Sequence, residues 1–405
     1  MQQFSNQKNK KVTENDLDWG IILALLLFMM IGLSSLFQAA MHMQGATLAS
    51  ALRPVAIQGV FWIIGAVLIV FLVRFDATQL WRLAPIAYGV GLFLLVAVLI
   101  FYNRSMAAST GAKSWFVFGP LSFQPSEVVK PAFILMLSRV VVEHNREKPV
   151  HETHSDWLLL GKMALCFAPI AVLIALQNDL GTLLVFAAIF GGVALVSGVT
   201  WRILAPVIAI ATTFGITALA LVTSTLGRTV LSKFGFQAYQ FARVDSWLHP
   251  AQDTSNTGYQ TYQSLKAIGS GQIFGNVWGN LKVYVPVRES DMIFSVIGES
   301  FGFIGGTFLI VLYFAFIVMM IQDTFKAQSA FYAYIATGVV MMVLFHVFEN
   351  IGMSIGLLPL TGIPLPFISQ GGSSLLGNLI GTGLILSIGY QKQSSAFTES
   401  TGFSI

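Results

Sequence analysis

Asp291 ends the run Pro286–Val287–Arg288–Glu289–Ser290–Asp291, which leads directly into an apolar stretch beginning at Met292. A carboxylate where a chain enters a long apolar helix can cap that helix or answer its dipole. A charge at the edge of so apolar a run is costly and usually functional. Glu299 lies about two helical turns further in, at a spacing that would put it on the same face. A carboxylate so deep in apolar sequence needs a partner or a polar cavity. Glu127 and Lys130 are three residues apart, a spacing that pairs them on one helix face, and Ser126 before them reads as the N-cap. Gln177–Asn178–Asp179–Leu180–Gly181–Thr182 is a tight polar turn in which Asp179 can cap the next helix. The stretch from Pro359 to Ser374 holds Pro359, Pro364, Pro366 and the pair Gly371–Gly372. These residues stop any helix, and the N–H groups of Gly371 to Ser374 could hold an anion. His346 and Glu349, shortly before it, read as a helix pair facing the interior. Gly298, Gly302 and Gly306 recur at every fourth position, which permits close helix packing.

These residues interrupt an otherwise apolar chain. Of 405 residues, 55% are hydrophobic and 10% charged, whereas a soluble domain carries about 25% charged residues. So few charges cannot cover a soluble surface, and the composition excludes a disordered chain and a nucleic-acid-binding domain, so no nucleic-acid partner is expected. An all-α polytopic membrane protein is the fold class, because each helix satisfies its own backbone hydrogen bonds in lipid. Measured against the roughly 20 apolar residues that a bilayer core needs, candidate spans fall near 19–40, 55–73, 83–101, 128–142, 161–176, 181–198, 202–223, 292–321, 330–357 and 373–390, about ten transmembrane helices, of which the fourth and fifth are short. The apolar run from Trp19 is too long for a signal-peptide core and reads as a retained first span.

With the N-terminus inside, Lys8, Lys10, Lys11, Arg74, Arg82, Arg139, Arg146, Lys148, Lys162, Arg202, Lys326 and Lys392 fall on the inner side. The short outer segments hold only Arg53, Arg104, Lys113 and Lys130. That bias makes both termini cytoplasmic. The chain then divides into a cytoplasmic tail (1–18), seven helices (19–223), one long extracellular loop (224–291), three helices (292–390) and a second cytoplasmic tail (391–405). The loop is rich in Tyr, Phe and Trp, which argues for structure and for amphipathic helix on the outer membrane face. All the polar clusters above face the outer side except His346 and Glu349, within a span. No internal repeat and no broken helix pair is visible, as many transporters would have. No zinc spacing, Walker loop, Rossmann fingerprint or Ser/His/Asp order occurs. The single cysteine, Cys166, excludes an intramolecular disulfide.

The ordered motifs Gly111-Ala112-x-x-Trp115, Gln124-Pro125-Ser126-Glu127-x-x-Lys130, Gln177-x-Asp179-Leu180-Gly181-Thr182, Gly258-Tyr259-Gln260, Ala267-Ile268-Gly269-Ser270-Gly271, Asp291-x-Ile293-Phe294-x-Val296-Ile297-Gly298-Glu299 and Pro359 to Ser374 closely resemble the SEDS (shape, elongation, division and sporulation) family. The match runs through nearly all of 19–390, and Val285 to Phe294 is most similar to the RodA branch in Gram-positive bacteria. Two positions depart from the family pattern. Lys113–Ser114 stands where an Arg often precedes the Trp, and Ser300 replaces the second carboxylate of a usual Gly-Glu-Glu.

The resemblance implies a peptidoglycan glycosyltransferase in the cell membrane that polymerises lipid II on the extracellular side, with a class B penicillin-binding protein as transpeptidase partner. It implies Asp291 as the essential carboxylate. A single displacement with inversion then needs one base and groups to hold the leaving pyrophosphate. Lys113, Lys130, Arg243 and Arg288 are the candidate cations. Glu127, Asp179 and Glu299 are further substrate-site candidates, and a divalent cation (Mg or Mn) could share the work. Other readings are a lipid II flippase and a non-catalytic scaffold for the transpeptidase.

Overall fold

The computed structural model describes residues 18–398 apart from 44, 120, 151, 234–237, 253–256, 277–278 and 327–328. In chain order the elements are α1 (Trp19–Met41), α2 (Leu48–Leu72), α3 (Ala77–Phe101), α4 (Arg104–Thr110), β1 (Phe116–Phe118), β2 (Leu121–Phe123), α5 (Pro125–Glu147), α6 (Thr153–Leu176), α7 (Leu180–Val196) and α8 (Trp201–Thr223). They continue with α9 (Thr225–Lys233), α10 (Ala238–Leu248), α11 (Thr257–Ser270), α12 (Ile293–Lys326), α13 (Ala330–Ser354) and α14 (Gly372–Thr398). Ten of the described helices have 17 residues or more, and they coincide with the ten apolar stretches. Eight are long and apolar enough to cross a membrane. The other two are α7, at 17 residues, and α5, which carries ionised groups into the bundle.

Starts are set locally. Asp18 accepts from the Gly20 and Ile21 N–H groups, and Asp76 and Thr47 form capping boxes with Gln79 and Ser50. The α5 start differs from the expectation. Gln124 is the N-cap and Pro125 takes the first helical position, so Ser126 is already inside. A proline at that position loses no hydrogen bond and has the helical φ built in.

The core lies where α5, α13 and α14 pack together, and α8 stands at the periphery with 11% of its span buried. The segment 224–291 carries three helices, α9, α10 and α11. The connection between α3 and α5 carries the short helix α4 and a two-stranded hairpin that pairs Phe116 with Phe123.

One helix is broken where sequence showed no break. Gly302 in α12 has φ 62° and ψ −159°, a conformation that a Cβ makes costly. The freed groups pair with the chain after α11. Phe303 N–H donates to Gln272 O (2.8 Å), Ile304 N–H to Ile273 O (3.2 Å), and Glu299 O accepts from Asn276 N–H (2.9 Å). A side chain at Gly302 would collide with the backbone of Gly275 and Ile273. The four-residue glycine spacing therefore includes a backbone crossing as well as helix packing.

Candidate functional site

At one end of the bundle the starts of α5 and α7, the residues before α12, and the turn between α13 and α14 enclose a cavity of about 740 Å³. Glu127, Lys130, Asp179, Asp291 and His346 all line it. These residues come from four helical regions that are far apart in sequence, and packing alone brings them together.

Lys130 and Glu127 are both buried, and Lys130 Nζ lies 2.8 Å from Glu127 Oε1 and 2.8 Å from His346 Nε2. A buried pair with a third polar contact meets the demand that desolvated charges be compensated. Asp179 caps α7 through Thr182 N–H (3.1 Å) and accepts from Gln124 Nε2 (2.9 Å), which ties the α7 start to the α5 start.

Asp291 lies in the turn before α12, half-buried on the cavity wall. Burial pushes its carboxyl up to about 7, and the Ser290 side chain opposes the shift by hydrogen bonding. That value suits a proton acceptor at neutral pH. The backbone that carries it is held carbonyl by carbonyl. Gln370 N–H donates to Glu289 O (2.9 Å), Ser369 Oγ to Ser290 O (2.6 Å), and Asn350 Nδ2 to Asp291 O (2.8 Å). Val287, a β-branched residue, adopts φ 52° four positions earlier, a conformation that persists only where surrounding bonds enforce it.

The facing turn is equally constrained. Phe367 has φ 65°, and its ring is buried among Phe28, Phe316 and Trp62. Tyr313 Oη donates to Pro366 O, and Leu365 N–H donates to Ser369 Oγ at 2.8 Å. Gln58 of α2 spans the turn, donating to Ser369 O and accepting from Gly371 N–H. Gly362, at φ +77°, lies so close to Asp291 that a Cβ there would stand 3.4 Å from Oδ2. Gly371 and Ser374 also line the cavity, where the sequence suggested anion-holding N–H groups.

The other expected site residues lie elsewhere. Glu299 is buried, and its Oε1 accepts from the Lys282 and Val283 N–H groups, so it holds the 281–285 turn and is absent from the cavity wall. It does not share a face with Asp291, because Asp291 precedes the helix and helical periodicity does not reach it. Ser300, in the place of a second carboxylate, donates to Gln38 Oε1 (2.8 Å). Arg288 is buried away from the cavity, with Nη1 on Val283 O (3.3 Å). Burial lowers its pKa, and the Glu299 carboxylate works against that. Lys113 is outside the lining, 5.7 Å over the Tyr102 ring, although its neighbours Ala112, Ser114 and Trp115 reach the cavity. Arg243 falls on α10, and its side chain lies outside the described residues.

A divalent cation would need several oxygen donors converging on one point. Among the described residues no three His, Cys, Asp or Glu side chains do so. Glu127 and Asp179 are engaged by Lys130 and Gln124.

Residues 18–394 match the model of the cell cycle protein family that comprises FtsW, RodA and SpoVE. The chain belongs to this family. It is 34% identical over 309 residues to the peptidoglycan glycosyltransferase MrdB of Escherichia coli (strain K12), covering 75% of this chain and 77% of that protein. A probable peptidoglycan glycosyltransferase FtsW of Synechocystis sp. is 30% identical over 91% of this chain and 88% of its own length. Among solved structures, a chain of a peptidoglycan synthase complex that coordinates polymerization and crosslinking superposes with a TM-score of 0.72 at 28% identity, over 93% of this chain and 98% of that one. The rod shape determining protein RodA of Thermus thermophilus gives 0.65 at 27% identity, over 93% and 97%.

Family membership and the cavity together show which residues sequence reasoning missed. His346 and Glu349 both face the interior as their spacing suggests, and His346 also contacts Lys130 of α5 on the cavity wall, which spacing does not show. Asn350 opens the polar stretch that runs on to Ser374, but the sequence does not show its bond to Asp291 O, and nothing in its charge or spacing singles out Gln58. The available signal was an amide inside an apolar span, which must find backbone partners.

Proposed function

We propose that this chain is a peptidoglycan glycosyltransferase that polymerises lipid II at the outer face of the cell membrane, with Asp291 as general base. The observation that carries the proposal is the Asp291 carboxylate on the wall of a cavity of about 740 Å³ that also holds Lys130, and burial raises its pKa to about 7. The relatives' names supply the reaction class.

The reaction joins the 4-hydroxyl of one disaccharide to the anomeric carbon of another and expels a lipid pyrophosphate. Asp291 takes the hydroxyl proton as the new bond forms. Inversion at the anomeric carbon needs no enzyme nucleophile, and general-base help is worth about 10²–10⁴ in rate. Negative charge grows on the pyrophosphate as its bond breaks. Lys130 is the cation on the cavity wall, Lys113 stands near its rim, and the N–H groups of Gly371 to Ser374 offer further donors. Arg288 and Glu299 act at one remove, by holding the segment that leads to Asp291. No step is routed through a metal ion.

A class B penicillin-binding protein is the proposed partner, supported by the likeness to a chain of a peptidoglycan synthase complex. Its single span would pack against the apolar helix faces. The basic-residue bias supports an extracellular site with cytoplasmic termini. The broken α12 does not favour a flippase, because the freed backbone groups pair with residues 272, 273 and 276.

The test is polymerisation of lipid II by the purified chain with its transpeptidase partner. Polymer from wild type and none from folded Asp291→Asn supports the reading. Undiminished polymer from Asp291→Asn removes the base. Headgroup movement in vesicles without polymer supports the flippase, and a chain that yields neither is a scaffold.

A further inference from the structure

Asn350 sits on α13, fully buried, and uses both hydrogens of its amide nitrogen. Nδ2 lies 2.8 Å from Asp291 O and 2.8 Å from Ile363 O. The first carbonyl belongs to the residue read as the base. The second belongs to the turn that faces it, next to Gly362 and its close approach to Asp291 Oδ2. One side chain on a packed helix therefore fixes both the carboxylate's backbone and the wall opposite. Asn350 is absent from the cavity lining, so it does not touch the reacting groups.

We infer that Asn350 is a positioning residue for the glycosyl transfer: through its two donated hydrogen bonds it fixes where the Asp291 carboxylate stands relative to the 362–363 turn and so to the attacking hydroxyl. This rests on the reading of Asp291 as the base. Three features of the site make the assignment specific. The carbonyls of Glu289, Ser290 and Asp291 are each held from outside their own segment, and Asn350 holds the last. Asp291 precedes the first turn of α12, so no intrahelical hydrogen-bond ladder positions it. Hydrophobic packing cannot replace a directional bond to a carbonyl, because apolar contact has no preferred angle.

Base catalysis depends steeply on this placement. A misplacement of about 1 Å can cost about 10²-fold in rate. Removing the amide frees two carbonyls and lets the turn and the base drift apart. Substrate contacts made by the rest of the cavity stay in place.

The experiment uses the full chain with its transpeptidase partner and lipid II. It compares wild type, Asn350→Ala, Asn350→Gln, Asn350→Ser and Asp291→Asn. Asn350→Ala is expected to lower kcat about 10- to 100-fold with KM within about twofold. Asn350→Gln keeps the donor and is expected to recover part of the rate. The acidic limb of the pH–rate profile is expected to move to lower pH in Asn350→Ala, as the loosened carboxylate gains water. The titratable and charged groups that share that cavity are Glu127 and Lys130 from α5, Asp179 from α7, Tyr259 from α11 and His346 from α13, with Glu289 in the same segment as Asp291. All of them are unchanged in the variant, so the shift reports on Asp291. A purely structural asparagine would reduce the folded fraction and leave the limb in place.

If Asn350→Ala does not accumulate, Asn350→Ser carries the same test, since one short hydroxyl cannot donate to both Asp291 O and Ile363 O. Wild-type kcat with an unmoved limb in Asn350→Ala, or in Asn350→Ser when that variant stands in, overturns the positioning role. Polymerisation by Asp291→Asn overturns the base assignment and this inference with it. An inactive Asp291→Asn beside a fully active Asn350→Ala rejects the positioning role alone.

Discussion

Glu299→Ala tests whether the deep carboxylate of α12 works on structure or on substrate. Its Oε1 is the acceptor for the Lys282 and Val283 N–H groups. Hydrogen bonds to a charged group contribute about 1.5–3 kcal/mol each, so two amount to about 3–6 kcal/mol. The variant also escapes the cost of burying a carboxylate, which offsets part of that loss and leaves a net destabilisation of about 2–4 kcal/mol. The 281–285 turn, whose Leu281 and Val285 are buried, should loosen first. Glu299→Gln keeps one acceptor oxygen and should lose about half as much. Thermal unfolding in lipid nanodiscs measures the stability, and lipid II polymerisation per folded molecule measures the chemistry. The expected result is a lowered unfolding temperature with the rate per folded molecule within a few-fold of wild type. A Glu299→Ala protein that melts like wild type and yet loses its rate a hundredfold would falsify the clamp and return Glu299 to the substrate.

Two other perturbations probe the cavity. Asp291 keeps its proton up to about pH 7 in the fold, whereas an unfolded carboxylate has lost it by about pH 4. The native state therefore binds the extra proton, and stability falls as pH rises from about 4 through about 7. Activity runs the other way, because the base must be ionised, so kcat/KM should climb through about pH 7. Asp291→Asn should abolish that limb and unfold later than wild type above pH 7; equal unfolding there would refute the burial argument. Removing one partner of the buried Lys130–Glu127 pair should cost about 3–5 kcal/mol, because it strands the other charge. The double variant Lys130→Met/Glu127→Gln should regain most of that stability in thermal unfolding while polymerisation stays lost.

The membrane bundle was legible residue by residue. Trp19 to Met41 and seven counterparts are long and apolar enough to cross a membrane, and a helix closes its hydrogen bonds within that same stretch. Two more helices, α5 and α7, fall short of that standard for different reasons. α7 is short, and α5 carries Glu127 and Lys130, whose burial depends on partners on other helices. The break at Gly302 was hidden because glycine spacing looks the same whether the residue packs against a helix or lets a backbone cross. Gly302 does the latter, against Gly275 and Ile273.

The sequence by itself determined the solvent, the helical class and which residues are chemically able to act, because apolarity, caps and prolines exert their effects within a turn or two of themselves. Only the tertiary structure decided which of those residues meet. Glu127, Asp179, Asp291 and His346 are separated by tens of residues, and the packing of α5, α7 and α13 sets their distances. The same packing seats Glu299 on backbone N–H groups and leaves Asp291 on the cavity wall. Two carboxylates eight positions apart thus have different tasks, because hydrogen-bond partners are assigned in space.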